Sequence, residues 1–132
     1  MRVRYCGTCK VTGRQLYSGF DMIESYSFGR IVIDGKEYMS DLIIFPNRLK
    51  TNWWRDEGHL LKPEDLEDAF AVSPKILIIG TGFSGVLKVD YKVKRFCMEN
   101  NIKLIEEPTS KAVQEYNRLM GPGVVGAFHL TC

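Results

Sequence analysis

The chain of 132 residues contains no apolar run approaching the roughly 20 residues that a helix needs to cross a bilayer, and its first residues carry no apolar core of a secretory signal. Membrane insertion is therefore not expected, and the expected compartment is the cytoplasm. Charge of one sign is also missing: 18 basic residues face 16 acidic ones, for a formal net charge of +2. With no basic stripe, binding to nucleic acid is not expected. Cysteine is sparse, with Cys6, Cys9, Cys97 and Cys132 the only four. In a chain of this size without an export signal, they read as thiols or metal ligands rather than as a disulfide framework. Internal repeats and low-complexity tracts are lacking, which excludes solenoids and fibres. No serine stands in a G-x-S-x-G sequence, which excludes the nucleophile elbow of the α/β-hydrolases.

What is present describes one globular domain. A composition of 45% hydrophobic and 26% charged residues is ordinary for a folded chain, and this length buries about two thirds of its unfolded surface without staples. Residues 1–21 differ from the rest, with Arg2, Arg4, Lys10 and Arg14 against the single acid Asp21. They read as an N-terminal extension carrying a Cys-x-x-Cys, and residues 22–132 as a single domain that Met22 could open by itself. Arg30 to Tyr38 is expected to form a hairpin about Asp34-Gly35, a pair suited to positive φ. Leu42 to Phe45 reads as a buried strand stopped by Pro46 and Asn47.

From Leu61 the pattern alternates. Pro63, with Glu64 and Asp65 behind it, opens a short helix whose apolar face is Leu66, Ala69 and Phe70. Lys75 to Ile79 reads as a strand. Asp90 caps a helix that buries Val93, Phe96 and Cys97 and stops at Asn100-Asn101. Ile102 to Ile105 is the next strand. A helix from Thr109, with Ala112, Val113, Tyr116, Leu119 and Met120 on one face, ends at Gly121-Pro122-Gly123. Val124 to Leu130 is the last strand. The expected fold is mixed α/β in three layers: an N-terminal antiparallel hairpin region, then a β-α-β-α-β half with parallel strands.

Three patterns carry chemical potential. Gly80-Thr81-Gly82-Phe83-Ser84-Gly85 matches the dinucleotide fingerprint G-x-G-x-x-G after a strand, with Glu106 near the end of the next strand. Yet Val86 to Val89 is strand-like and the helix starts only near Asp90, so a helix dipole does not face this loop. A tight turn explains the glycines equally well. An anion or small metabolite held by the loop amides, Thr81 and Ser84 is the intermediate reading. The pair Cys6 and Cys9 is half of a structural zinc site. Its completion would have to come from His59, Cys97, His129 or Cys132, so no cofactor is expected, and zinc enters only through Cys6 and Cys9.

The third pattern is Asn52-Trp53-Trp54-Arg55-Asp56-Glu57-Gly58-His59. Two adjacent tryptophans in a loop either cap the core or form a recognition surface. Arg55, Glu57 and His59 could act as an anion clamp and two bases, or Arg55 could simply pair with a neighbouring acid. Cys97 lies on an apolar helix face, where a small buried hydrophobe is the ordinary explanation, and His129, in a strand of alternating character, reads as a hydrogen-bonded core residue.

Taken in order, Ile23-Glu24-Ser25-Tyr26-Ser27-Phe28-Gly29, Trp53-Trp54-Arg55 with Gly58-His59, the Gly80-Thr81-Gly82 loop and the closing His129-Leu130-Thr131-Cys132 make residues 22–132 resemble the Mth-type domain family. That resemblance implies a compact three-layer domain. It also implies an accessory or assembly role, since eukaryotic relatives include a mitochondrial complex I assembly factor and an adipogenesis-associated protein. No catalytic residues come with it, and the Cys6-x-x-Cys9 extension departs from the family pattern. The expected function is accordingly non-enzymatic and exercised through contacts with a protein partner, with Trp53, Trp54 and Arg55 as anchors. The rival is a metabolite or anion binder, or an enzyme, whose pocket is walled by Gly80 to Ser84 and closed by the loop Trp53 to His59. An exposed aromatic loop or an open strand edge would also favour a homodimer.

Overall fold

A computed structural model describes residues 22–132 of the chain. The extension 1–21, with Cys6 and Cys9, lies outside the described residues. The chain order is β1 (Ile23–Ser27), β2 (Arg30–Ile33), β3 (Lys36–Tyr38), β4 (Leu42–Phe45), β5 (Arg48–Lys50), β6 (Leu60–Leu61), a 3-10 turn (Pro63–Leu66), α1 (Glu67–Ala71), β7 (Ile76–Thr81), β8 (Lys88–Val89), α2 (Tyr91–Glu99), β9 (Lys103–Glu107), α3 (Thr109–Leu119) and β10 (Val124–His129).

The central sheet has five strands in the order β5-β4-β10-β7-β9. Strands β10, β7 and β9 are parallel, while β4 runs antiparallel to β10 and to β5. The apolar runs are continuous because both faces are covered, and the two-residue period of a strand splits them cleanly. Ile43, Phe45, Leu77, Ile79, Val125 and Ala127 point into one core, which Leu66, Ala69, Val93 and Cys97 close from the helical side. Leu42, Ile44, Ile78, Val124 and Phe128 point into the other, closed by Ala112, Val113 and Tyr116 of α3 and by Ile23, Ile31 and Ile33. The connections β7 to β9 and β9 to β10 travel in opposite directions along the sheet. With the usual right-handed crossover, that reversal puts α2 and α3 on opposite faces, as found.

The expected three-layer mixed α/β fold with parallel strands in the second half is the one observed. Its N-terminal region does two things: β1-β2-β3 form a separate antiparallel sheet, while β4 and β5 extend the central one. The hairpin turns at Asp34 and Gly35, both at positive φ. Asp90 caps α2 by accepting from the Lys92 amide, and Asn101 adopts the left-handed conformation just beyond its end. Phe96 departs from its expected burial. It is 37% exposed and lies against Phe70 of α1, the tilted rings 4.3 Å apart between centroids.

Candidate functional site

Strand β10 ends at His129, and its antiparallel register places Phe128 opposite Leu42. Asp41, one residue before β4, is thereby brought beside His129. The loop after β5 folds back over this corner, since the Trp53 amide donates to the Asp41 carbonyl at 2.9 Å. Two residues further on, Arg55 then reaches the Asp41 carboxylate. Three segments far apart in sequence so converge at one sheet end.

Asp41 is saturated. Oδ1 accepts from the Leu130 amide at 2.8 Å, and Oδ2 accepts from Arg55 Nη1 at 2.8 Å and contacts His129 Nδ1 at 2.7 Å. Arg55 Nη2 also lies 3.1 Å from His129 Nδ1. A carboxylate can only accept and a guanidinium can only donate, so the shorter contact decides the tautomer: Nδ1 carries its proton and donates it to Asp41. The other ring nitrogen, Nε2, makes no hydrogen bond among the described residues.

The side chains of Arg55, His129 and Asp41 are 7%, 8% and 16% exposed, so this is a buried charge cluster. Burial by itself would raise the Asp41 pKa. The hydrogen bonds from His129, the Leu130 amide and Arg55 outweigh it and hold the carboxyl below its ordinary value. Arg55 also faces the Trp53 ring at 5.1 Å, and its Nε is buried without a partner among the described residues.

Above the cluster lies a cavity of about 450 Å³ lined by Met39, Ser40, Asp41, Asn52, Trp53, Trp54, Arg55, Gly58, His129 and Thr131. The two tryptophans divide the alternatives between them. Trp53 is buried at 3% exposure and donates from Nε1 to the Asp65 carbonyl at 2.9 Å, so it caps the core. Trp54 is 83% exposed and, with Met39 at 74%, forms an apolar rim. Arg55 has its neighbouring acid in Asp41. Glu57 is exposed and lies 3.6 Å from Lys62. His59 is exposed, and its carbonyl accepts from the Lys88 amide; neither Glu57 nor His59 lines the cavity.

Gly80, Thr81, Gly82 and Ser84 also stand outside the cavity lining, because their loop serves the chain's own C-terminal segment. The Phe83 amide donates to the Thr131 carbonyl at 2.7 Å and the Val86 amide to the Cys132 carbonyl at 3.2 Å. Thr109, fully buried, accepts from the Gly82 amide at 2.8 Å and donates to the His129 carbonyl at 2.6 Å. A Cβ on Gly82 would lie 2.6 Å from the Cys132 carbonyl oxygen, and one on Gly80 would lie 2.8 Å from Thr109 Oγ1. The glycines permit this close packing, and the Gly82, Phe83, Gly85 and Val86 amides of the loop have acceptors within the chain.

Metal-ligand geometry is absent among the described residues, where no three of His, Cys, Asp and Glu are grouped to hold an ion. Cys97 is buried in the core on the inner face of α2, and Cys6 and Cys9 lie outside the described residues. No helix among the described residues is long and apolar enough to cross a membrane. Asp41 is a site residue that no sequence motif marks, since a lone acid before an apolar strand acquires meaning only once β4 and β10 are in register.

A family model described as a protein of unknown function (DUF498/DUF598) matches residues 23–129. The chain belongs to that family. Among solved structures, the DUF498/DUF598 chain is similar to the conserved hypothetical protein PH1505 from Pyrococcus horikoshii. Identity there is 30% and the TM-score 0.75, over 83% of this chain and 98% of that one. A protein from Bartonella henselae described as an outer membrane protein shares the fold at 20% identity and TM-score 0.73, over 86% of this chain and 98% of that one. A Bordetella pertussis protein described as a Mth938-like domain shares it at 17% identity and TM-score 0.57, over 83% of this chain and 85% of that one. The Mth-type character read from the sequence is therefore that of the DUF498/DUF598 domain.

Proposed function

We propose that this DUF498/DUF598 protein is a non-enzymatic accessory protein, acting in the cytoplasm, that engages a protein partner through the surface around Trp54. The observation that carries this reading is the 83% exposure of Trp54 beside an exposed Met39, on the rim of a cavity whose floor is held rigid. A large aromatic held in water on a fixed support has the character of an interface anchor. The buried Asp41, Arg55 and His129 cluster acts as the support: it pins the loop carrying Trp54 to the ends of β4 and β10. Partner capture from a lysate of the source cell, followed by measurement with the purified partner, tests the reading. Trp54→Ala is expected to weaken binding at least about tenfold, as hot-spot aromatics do, with an unchanged melting temperature. Equal capture by wild type and variant removes this surface from consideration.

One observation favours a second reading. An imidazole whose Nδ1 is fixed by a carboxylate and whose Nε2 makes no hydrogen bond among the described residues, beside a cavity of this size, is arranged to exchange a proton or a hydrogen bond with a small ligand. Native mass spectrometry of the full chain beside His129→Gln separates the two. Bare masses for both are expected from the protein-contact reading, whereas a small-molecule adduct lost in the variant would assign the cavity to a metabolite.

A further inference from the structure

Counting donors against acceptors in the Asp41, Arg55 and His129 cluster leaves a surplus of donors. Both Asp41 oxygens are taken, Oδ1 by the Leu130 amide and Oδ2 by Arg55 Nη1 and His129 Nδ1. His129 Nδ1 gives its proton to Asp41 at 2.7 Å, so it cannot also accept from Arg55 Nη2 at 3.1 Å. Nη2 is thus left without an acceptor among the described residues, and Nε is buried without a partner. In a planar guanidinium, Nε–H and one N–H of Nη2 leave from the same edge as a fork. Asp41 and His129 stand at the opposite end, about Nη1 and Nη2, and the Trp53 ring lies 5.1 Å from the guanidinium carbon. The unfilled feature of Arg55 is that one edge.

A buried donor pair without acceptors is costly, and native proteins rarely keep one that serves no purpose. The Arg55 side chain is only 7% exposed, yet it lines the cavity of about 450 Å³ together with His129. Its complement is a group that only accepts and offers two oxygens in one plane, which is a carboxylate. A cation is excluded, since the acceptors of Asp41 are spent and Arg55 carries the same sign. Asp41 offsets the Arg55 charge, so recognition rests on the fork and not on net charge. The cavity has the volume of a small-molecule site, and the exposed Trp54 and Met39 at its rim offer apolar surface for the rest of the ligand.

We infer that this cavity binds a small carboxylate with an apolar body, the carboxylate accepting from the Nε and Nη2 edge of Arg55 and the body lying against Trp54 and Met39. The inference rests on the small-ligand reading of the cavity given above and adds the chemical class of the ligand. It separates closely related compounds: an amide of the same shape would turn N–H groups toward the N–H groups of Arg55, and inorganic phosphate has no body to place on the rim.

The test is titration of the isotope-labelled full-length protein with phenylacetate, phenylacetamide and inorganic phosphate, each to about 20 mM, since fragments of this size bind weakly, with amide and indole N–H shifts as the readout. Phenylacetate is expected to shift the resonances of Trp54, Arg55 and Thr131 and to bind about tenfold or more tightly than either of the others, as a charge-assisted bidentate contact allows. Arg55→Lys, which keeps a charge beside Asp41 but lacks the fork, is expected to abolish the preference for acid over amide. Trp54→Ala, at an exposed position, is expected to weaken phenylacetate several-fold. The comparison of acid with amide needs no variant and stands even where Arg55→Lys does not fold. Equal binding of acid and amide at these resonances overturns the carboxylate and leaves the cavity a ligand site. Phosphate binding as tightly as phenylacetate overturns the apolar body. Shifts confined to other residues, or none with phenylacetate, overturn the inference; a small-molecule adduct lost in His129→Gln would then show that the cavity still takes a ligand of another class, and bare masses that the ligand reading falls with it.

Discussion

Asp41 satisfies three donors with one carboxylate, so its removal is felt at each of them. Asp41→Ala would leave the Arg55 guanidinium buried without its counter-charge and the Leu130 amide without its acceptor. A loss of about 3–5 kcal/mol is expected for breaking a buried pair from one side, measured as a lower urea midpoint. The pH dependence follows from the same bonds. The folded pKa of Asp41 is depressed, so its stabilisation is complete above the unfolded value of about 3.9. It is lost as pH falls below that value and through the folded one. Urea midpoints taken from pH 5 downward should therefore fall more steeply for wild type than for Asp41→Asn. Cys97 is the opposite kind of buried group, its thiol pushed up to about 11 by desolvation alone. At neutral pH, iodoacetamide followed by peptide mapping should label the exposed Cys132 and leave Cys97 untouched.

At the scale of elements, the glycine loop is a clasp between β7 and the C-terminal segment. Gly82 sits at φ +106, with Cys132 and Thr131 carbonyls where a side chain would begin. Gly82→Ala should cost about 2 kcal/mol or more, from backbone strain and overlap together. The measured signs would be a lower melting temperature and faster carboxypeptidase trimming of the C-terminus. Millimolar NADH or phosphate should leave the wild-type melting temperature unchanged, because the Phe83 and Val86 amides already have acceptors. This loop also shows where sequence reading stops. The strand-like Val86 to Val89 did foretell that no helix starts inside the loop, since Lys88–Val89 is a strand and α2 begins only at Tyr91. That its amides bind residues 131 and 132 depends on long-range packing, to which a local pattern is blind. The central strands β4, β7, β9 and β10 and the helices were legible because those strands are largely apolar and the helices keep a 3.6-residue stripe, whereas β1, β5 and β6 are short or polar and carry no such pattern. Trp53 and Trp54 could not be assigned to separate roles, because neighbours in a loop obey no period that says which faces inward. Asp41 was illegible for a related reason, its partners lying 14 and 88 positions away.

For the whole molecule, the distribution of charge along its edges bears on how it associates. The central sheet ends in β5 on one side and β9 on the other. These strands carry Arg48 and Lys50, and Lys103, Glu106 and Glu107, the charged residues that discourage a second sheet from docking edge to edge. The outer strand β3 of the smaller sheet likewise carries Lys36 and Glu37. Dimerisation through these strand edges is therefore not expected, and Trp54, the most exposed aromatic among the described residues, is one place where the chain could meet another copy. Glu64 and Glu67, which line a depression with Trp54, make that union unfavourable, since a two-fold contact centred there would bring the acids of both copies together. Sedimentation velocity at micromolar concentration should accordingly show a monomer. A dimer that disappears in Trp54→Ala would mean that this surface serves self-association instead, and a dimer indifferent to that change would place the contact on a face that neither the edges nor Trp54 accounts for.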